Sequence, residues 1–306
     1  MNLARRTLMG AVLCLASAQA IGPAAADWRD DVPTFRIGIL GGALGASQLR
    51  AYACLDRLVE QAMKVPVELY TADNYQGVMQ GLLDGQLDAA GLGAGSYAGV
   101  YLADPDAVEP LVAIKQDDGS VGYYSVLIVR ADSPFESVAD LRGRSIMFTD
   151  ENSTSGFLVP NHELGEQGYP LRYFGTYGFS GSHPASVRAV LGGEWDAGVT
   201  WTSGIGPYEQ GHSRGNLRRM VQRGELDMQN VRILWSSSMI AEGPVVVRKG
   251  LPQEAKDIYE QVLLELPEKH SSCFEAIAGG RAVGYAPVEH ELYDTIIDIR
   301  RELQGG

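Results

Sequence analysis

The chain is short of positive charge. Its 25 lysines and arginines face 38 aspartates and glutamates, a formal net charge of −13 at neutral pH. A balance of that sign excludes a general affinity for nucleic acid or for anionic membrane. Cysteine is scarce as well, at three in 306 residues, which excludes a small fold framed by disulfides. Beyond the first residues no stretch is apolar enough to span a bilayer. The histidines at 162, 183, 212, 270 and 290 show no metal-ligand spacing, so no metal and no cofactor is implied. "ILGGALGA" (Ile39 to Ala46) imitates a dinucleotide loop but reads G-G-x-x-G, not G-x-G-x-x-G. No nucleophile elbow is expected, and no acid is indicated that would orient His183 toward a serine. A phosphatase-like enzyme is therefore a lesser alternative.

What is present begins with a targeting segment. Met1 to Gly10 carry Arg5 and Arg6 and no acid; Ala11 to Ile21 are mostly apolar; Ala24-Ala25-Ala26 offers a small-residue cleavage site before Asp27. That is the pattern of a secretory signal, removed on export to the periplasm. Cys14 follows the bulky Leu13, which argues against a lipid anchor. Residues 1–26 are thus read as signal peptide. Removing the two arginines leaves 23 bases against 38 acids, or −15. Only Cys54 and Cys273 persist. They could pair in an oxidising compartment, although two separate buried thiols are the preferred reading.

The mature chain carries one layout twice. "FRIGILGG" (Phe35 to Gly42) and "VPVELYTA" (Val65 to Ala72) read as buried strands around a helical pattern from Ala46 to Met63. Asn74 to Gly93 reads as helix, turn and short strand. The same order recurs 108 residues later, with strands at Arg144 to Asp150 and Leu171 to Gly178, then helix, turn and strand from Ser182 to Trp201. "LDGQLDAA" (Leu83 to Ala90) echoes "LGGEWDAG" (Leu191 to Gly198). The offset pairs Ile39 with Met147, Ser47 with Ser155, and Tyr75 with His183. Strand–helix alternation predicts an α/β fold with two mostly parallel sheets flanked by helices. "GYYSVLIVRADSP" (Gly122 to Pro134) and "GPVVVRKGLP" (Gly243 to Pro252) are read as two hinge strands. The expected lobes are 27–124 plus 245–306, and 125–244. Ligands of open α/β sheets bind beyond the carboxyl ends of the strands, so the expected site is the cleft between lobes. Trp195 and Trp201 are read as core packing.

Within "DENSTSGFLVP" (Asp150 to Pro160), Ser153, Thr154 and Ser155 fall at a helix start. A helix cap accounts for one hydroxyl. Unpaired N–H groups there favour an anion, and hydroxyls add donors without charge. Tyr75 and His183, at matching helix starts, are further neutral donors.

The sequence resembles the periplasmic phosphonate/phosphite/phosphate-binding proteins of ABC importers. The likeness is carried by "DNYQGVMQGLLDGQLDAA", "GYYSVLIVRADSP", "NSTSGFLVP", "FSGSHPASVRAVLGGEWDAG" and "GYAPVEHELYDTI". It implies a two-lobed binding protein that closes on its ligand, with oxyanion contacts from Tyr75, Tyr123, Ser153, Thr154, Ser155 and His183. It implies a membrane permease as partner; the ectodomain of a sensor kinase, reading a related oxyanion such as arsenite, is the alternative. Members that take aminoalkyl phosphonates need carboxylates where Ser203 and Gly243 stand here, with Glu242 adjacent. That departure puts aminoethylphosphonate in doubt and leaves phosphite, phosphate and methylphosphonate open.

Overall fold

The computed structural model describes residues 27–40 and 45–305. The targeting segment and most of the turn after Leu40 lie outside these residues. The strands in chain order are β1 (Phe35–Leu40), β2 (Val67–Ala72), β3 (Ala89–Gly91), β4 (Val108–Lys115), β5 (Gly122–Arg130) and β6 (Ser145–Phe148). They continue with β7 (Thr176–Phe179), β8 (Ala197–Thr202), β9 (Val231–Ser236), β10 (Ile240–Ala241), β11 (Val245–Arg248) and β12 (Gly284–Pro287).

These strands make two sheets with helices on both faces. The first runs β12-β4-β11-β3-β1-β2; the second runs β10-β5-β8-β6-β7, with β9 also paired to β5. Each contains a parallel trio, β2-β1-β3 and β7-β6-β8, to which antiparallel strands are added. The sheets are therefore mixed. The added strands β4, β9, β10 and β12 pair antiparallel with strands far away in the chain, so local strand–helix alternation did not announce them. Cores fill both faces of each sheet. Ile37, Leu55, Val59 and Met63 pack one face of the first sheet. Leu127, Ile146 and Phe148 pack one face of the second, and Val126, Val187 and Met220 the other.

Local chemistry explains the elements that frame the site. In the helix Gly45–Met63, Leu55, Val59 and Met63 recur every fourth residue and are buried. It ends where Lys64 turns left-handed, with φ of 60°, two residues before Pro66. The helix Tyr75–Leu83 is capped by Asn74, whose Oδ1 accepts from the Gly77 amide at 2.9 Å. Its counterpart is His183–Leu191, and these two helices stand 108 residues apart, as the repeat predicts.

The first strands of the two copies do not keep that offset. Ile37 pairs with Ala89 in one sheet and Ile146 with Ala197 in the other, so β6 is displaced to an offset of 109. Met147 therefore corresponds to Gly38, not to Ile39. The aspartates of the echoed motif explain why the register is fixed. Asp88 accepts from the Arg36 amide at 3.0 Å, and Asp196 accepts from the Ser145 amide at 2.9 Å. Each carboxylate anchors the entry of the strand beside it.

Two other sequence readings are corrected. Leu171–Tyr173 is a short 3-10 turn, and only Thr176–Phe179 is strand. Pro170 begins that turn, and Tyr173 O accepts the Gly143 amide at 3.0 Å, which holds the turn back from the sheet. Cys54 and Cys273 are not separate thiols. They form a disulfide with a Cα separation of 5.8 Å, tying helix Gly45–Met63 to helix Ser271–Ala278. The fold brings together two cysteines 219 residues apart, which spacing alone cannot reveal.

Two short connections join the sheets, 116–121 between β4 and β5, and 242–244 between β10 and β11. The Gln116 amide donates to Gly122 O at 3.0 Å and to Glu242 Oε1 at 2.8 Å, binding one connection to the other.

Candidate functional site

A cavity of about 310 Å³ opens between the sheets. Tyr75, Tyr123, Ser153, Thr154, Ser155 and His183 all line it. Each reaches it from a different local device. Tyr75 and His183 are the first residues of their helices. Tyr123 comes from the start of β5. The three hydroxyl residues enter a π-helical turn, Thr154–Leu158, that continues as helix Val159–Glu166.

The hydroxyls divide their work. Ser153 is the cap: its Oγ accepts from the Gly156 amide at 3.0 Å. Thr154 Oγ1 accepts from the Gly95 amide at 2.7 Å, across the gap between the sheets. Its own O–H is left to donate elsewhere. The backbone of Ser155 accepts from Ser125 Oγ at 2.6 Å, which fixes the turn while its side chain faces the cavity. All three residues are buried.

The ring residues are held neutral. His183 lies with Nδ1 3.2 Å from Thr149 Oγ1 and Nε2 3.4 Å from Ser153 Oγ. Burial, with the Arg219 cation adding to it, lowers its pKa to about 3. The imidazole is uncharged at neutral pH, with one N–H to donate. Burial pushes the Tyr75 phenol up to about 12, against the opposing effect of its hydrogen bond to Ser153. Tyr123 is raised further by burial and by the Glu242 carboxylate. Both phenols keep their protons. Trp201 stands edge-on to Tyr123 at 5.2 Å and to His183 at 6.5 Å. It packs against a core, as the sequence reading has it, and also lines the cavity, where it braces two of its donors.

Charge enters the cavity from a run the sequence reading missed. Arg214, Arg219 and Arg223 line it, together with Glu242 and Asp73. Three cations less two anions leave +1, in a chain whose total is −13. "SRGNLRRMVQR" (Ser213 to Arg223) was the available signal, a basic cluster in an acidic sequence. Gly215 makes its placement possible. Its φ is +122°, and a Cβ there would press 2.7 Å from Thr202 Cα.

Glu242 is committed to structure. It is buried against Arg214, and Arg214 Nη2 donates to its Oε2 at 3.2 Å. Gln116 takes Oε1 as well. Gly243 has no room for a side chain, because a Cβ would collide with Leu92 O. Ser203 is buried, 2.9 Å from Ser213 Oγ. None of these three positions presents a free carboxylate. The spelling G-x-S-x-G of a nucleophile elbow occurs once, at Gly211–Gly215. It is no nucleophile elbow, because it follows the turn Tyr208–Gln210, not a strand, and Ser213 is tied to Ser203.

The family described as the periplasmic substrate-binding protein of phosphonate ABC transporters matches residues 44–293. The chain is 28% identical to the phosphate-import protein PhnD of Mycolicibacterium smegmatis, over 83% of this chain and 81% of that protein. It is 29% identical to the phosphonates-binding periplasmic protein of Escherichia coli, over 81% and 70% respectively. Among solved structures, PhnD1 of Prochlorococcus marinus in complex with methylphosphonate superposes with a TM-score of 0.73 at 21% identity, covering 89% of this chain and 98% of that one. A binding protein component of a Pseudomonas aeruginosa phosphonate transporter gives 0.74 at 20% identity, covering 89% and 87%. These structures share the two-lobed fold.

Proposed function

This chain belongs to the periplasmic substrate-binding proteins of phosphonate ABC transporters, and we propose that it captures a phosphorus oxyanion (phosphonate, phosphite or phosphate) in the interlobe cleft and delivers it to a membrane permease. The lobes are taken as 27–124 with 245–306, and 125–244. The observation that carries the reading is the convergence of six neutral donors on one cavity whose net charge is positive. A tetrahedral oxyanion presents several acceptors at once. Hydroxyl, phenol and imidazole donors meet them without a carboxylate to repel the charge.

Burial of the three hydroxyls supports a closing motion. Ser153, Thr154 and Ser155 are shielded where helix Ala94–Ala103 meets the π-helical turn, and Arg300 Nη2 reaches Asn152 Oδ1 at 2.5 Å beside them. A ligand reaches these donors with the lobes apart and is enclosed as they meet. Against a hydrolase reading stands His183, whose Nδ1 meets Thr149 Oγ1 and, among the described residues, no carboxylate. The chain acts as an exported binding protein with its mature start near Asp27.

A melting screen of the exported protein tests this reading. Phosphate, phosphite and methylphosphonate should raise the melting temperature, by about 2.7 kcal/mol of stabilisation at 100 times the dissociation constant. Sulfate and acetate should not. A flat response to every phosphorus oxyanion contradicts the proposal, and so does steady release of phosphate from phosphate esters.

A further inference from the structure

The cavity is larger than a bare oxyanion requires. At about 310 Å³ it falls in the range of small-molecule sites, about 300–1,000 Å³, and phosphate or phosphite fills only part of it. The remaining wall has its own chemistry. Away from the hydroxyl cluster the lining turns apolar, with Ile114, Val245, Ile277 and Tyr285. Beside them stands Arg219, from helix Asn216–Gln222.

Arg219 differs from its neighbour Arg214. Arg214 is neutralised by Glu242. Among the described residues, no carboxylate lies within salt-bridge reach of Arg219. Its contacts are two long ones to the end of helix Ser271–Ala278: Nε donates to Gly279 O at 3.4 Å and Nη2 to Ala278 O at 3.3 Å. Those carbonyls hold the guanidinium plane, and Nη1 has no protein acceptor among the described residues. Burial and the nearby Arg214 charge lower its pKa to about 10, so it stays charged at neutral pH in surroundings that disfavour the charge. A guanidinium in this situation is matched by a carboxylate or a second phosphoryl group.

We propose that the physiological ligand is a phosphonate with a second anionic group at the far end of a short carbon chain, the phosphonate meeting the hydroxyl cluster and the second anion meeting Arg219. This rests on the reading of the cleft as a phosphorus-oxyanion site. The apolar wall takes the intervening carbons. An ammonium at the far end is disfavoured, because it would face Arg219 while Glu242 is held by Arg214. The carboxylate of the lining that no arginine holds is Asp73, exposed two residues before Tyr75.

Titration calorimetry of the wild type and Arg219→Gln with methylphosphonate, phosphonoacetate, 3-phosphonopropionate and 2-aminoethylphosphonate tests this. The wild type should bind one of the two carboxylated ligands about tenfold or more tighter than methylphosphonate. Arg219→Gln should erase that preference, weakening the carboxylated ligands about tenfold more than it weakens methylphosphonate. A wild type that prefers methylphosphonate or 2-aminoethylphosphonate overturns the inference, whether or not the variant folds. An equal loss for every ligand in the variant overturns it too, since Arg219 would then only latch one lobe to the other. If the wild type binds none of the four but binds phosphate or phosphite, this inference alone fails; if it binds none of the six, the oxyanion reading fails with it.

Discussion

Thr154 Oγ1 accepts the amide of Gly95 at 2.7 Å, and that bond crosses from one lobe to the other. With its oxygen engaged, the hydroxyl can still donate its proton to a ligand. On the proposed reading, one side chain serves both lobe contact and anion binding. Thr154→Ala should weaken binding about tenfold to 150-fold, the worth of a hydrogen bond to a charged partner. Thr154→Ser, which keeps the hydroxyl, should bind within a few-fold of wild type. Calorimetry on both variants checks this, and equal affinities for Ala and Ser would remove Thr154 from the site.

His183 makes the protein sensitive to acid with a definite sign. Its folded pKa, about 3, lies below the ordinary value of 6.5. The unfolded chain therefore takes up the proton first. The stability contributed by the neutral imidazole is complete above pH 6.5 and is lost as pH falls toward 3. Melting curves of wild type and His183→Gln should converge as pH falls from about 6.5 toward 3. A constant difference between them across that range would contradict the assignment.

Glu242 and Arg214 form a buried pair. Glu242→Ala strands the Arg214 cation and should cost about 3–5 kcal/mol. The double change of Glu242 and Arg214 to residues of matching size should recover much of that loss. Denaturant titration decides it, and a single change without effect would mean the pair is solvated in solution.

The Cys54–Cys273 disulfide closes a loop of 219 residues. By the loop-entropy account its removal should cost up to about 5 kcal/mol, with 2–4 kcal/mol typical. The double Cys→Ser variant should unfold at lower denaturant and keep its ligand affinity, because neither cysteine lines the cleft. Lost affinity at unchanged stability would reverse this account.

The site was legible where local rules act. Caps and apolar spacing marked the starts of the helices that carry Tyr75 and His183. The cluster at Ser153 to Ser155 was legible because more hydroxyls stand there than a cap uses, and the cap proves to be Ser153. What was missed depends on contacts distant in sequence. The one-residue shift of β6 is set by Asp196 reaching back to Ser145. The disulfide joins two helices from opposite ends of the chain. Strands β4, β9, β10 and β12 pair antiparallel with strands far away in the chain, so no local pattern signals them. Arg219 lies on the helix that follows Gly215, a position where φ of +122° and the nearby Thr202 backbone favour glycine, and no local pattern tells that this helix borders the cavity.

The most direct test of the central claim is the affinity of Ser155→Asp for methylphosphonate and phosphate, measured by titration calorimetry beside the wild type. A carboxylate at 155 places like charge where the oxyanion is received. The account predicts no detectable binding by the variant, with a folded protein by melting and wild-type binding intact. Wild-type affinity in Ser155→Asp would contradict it, and the anion would have to bind elsewhere.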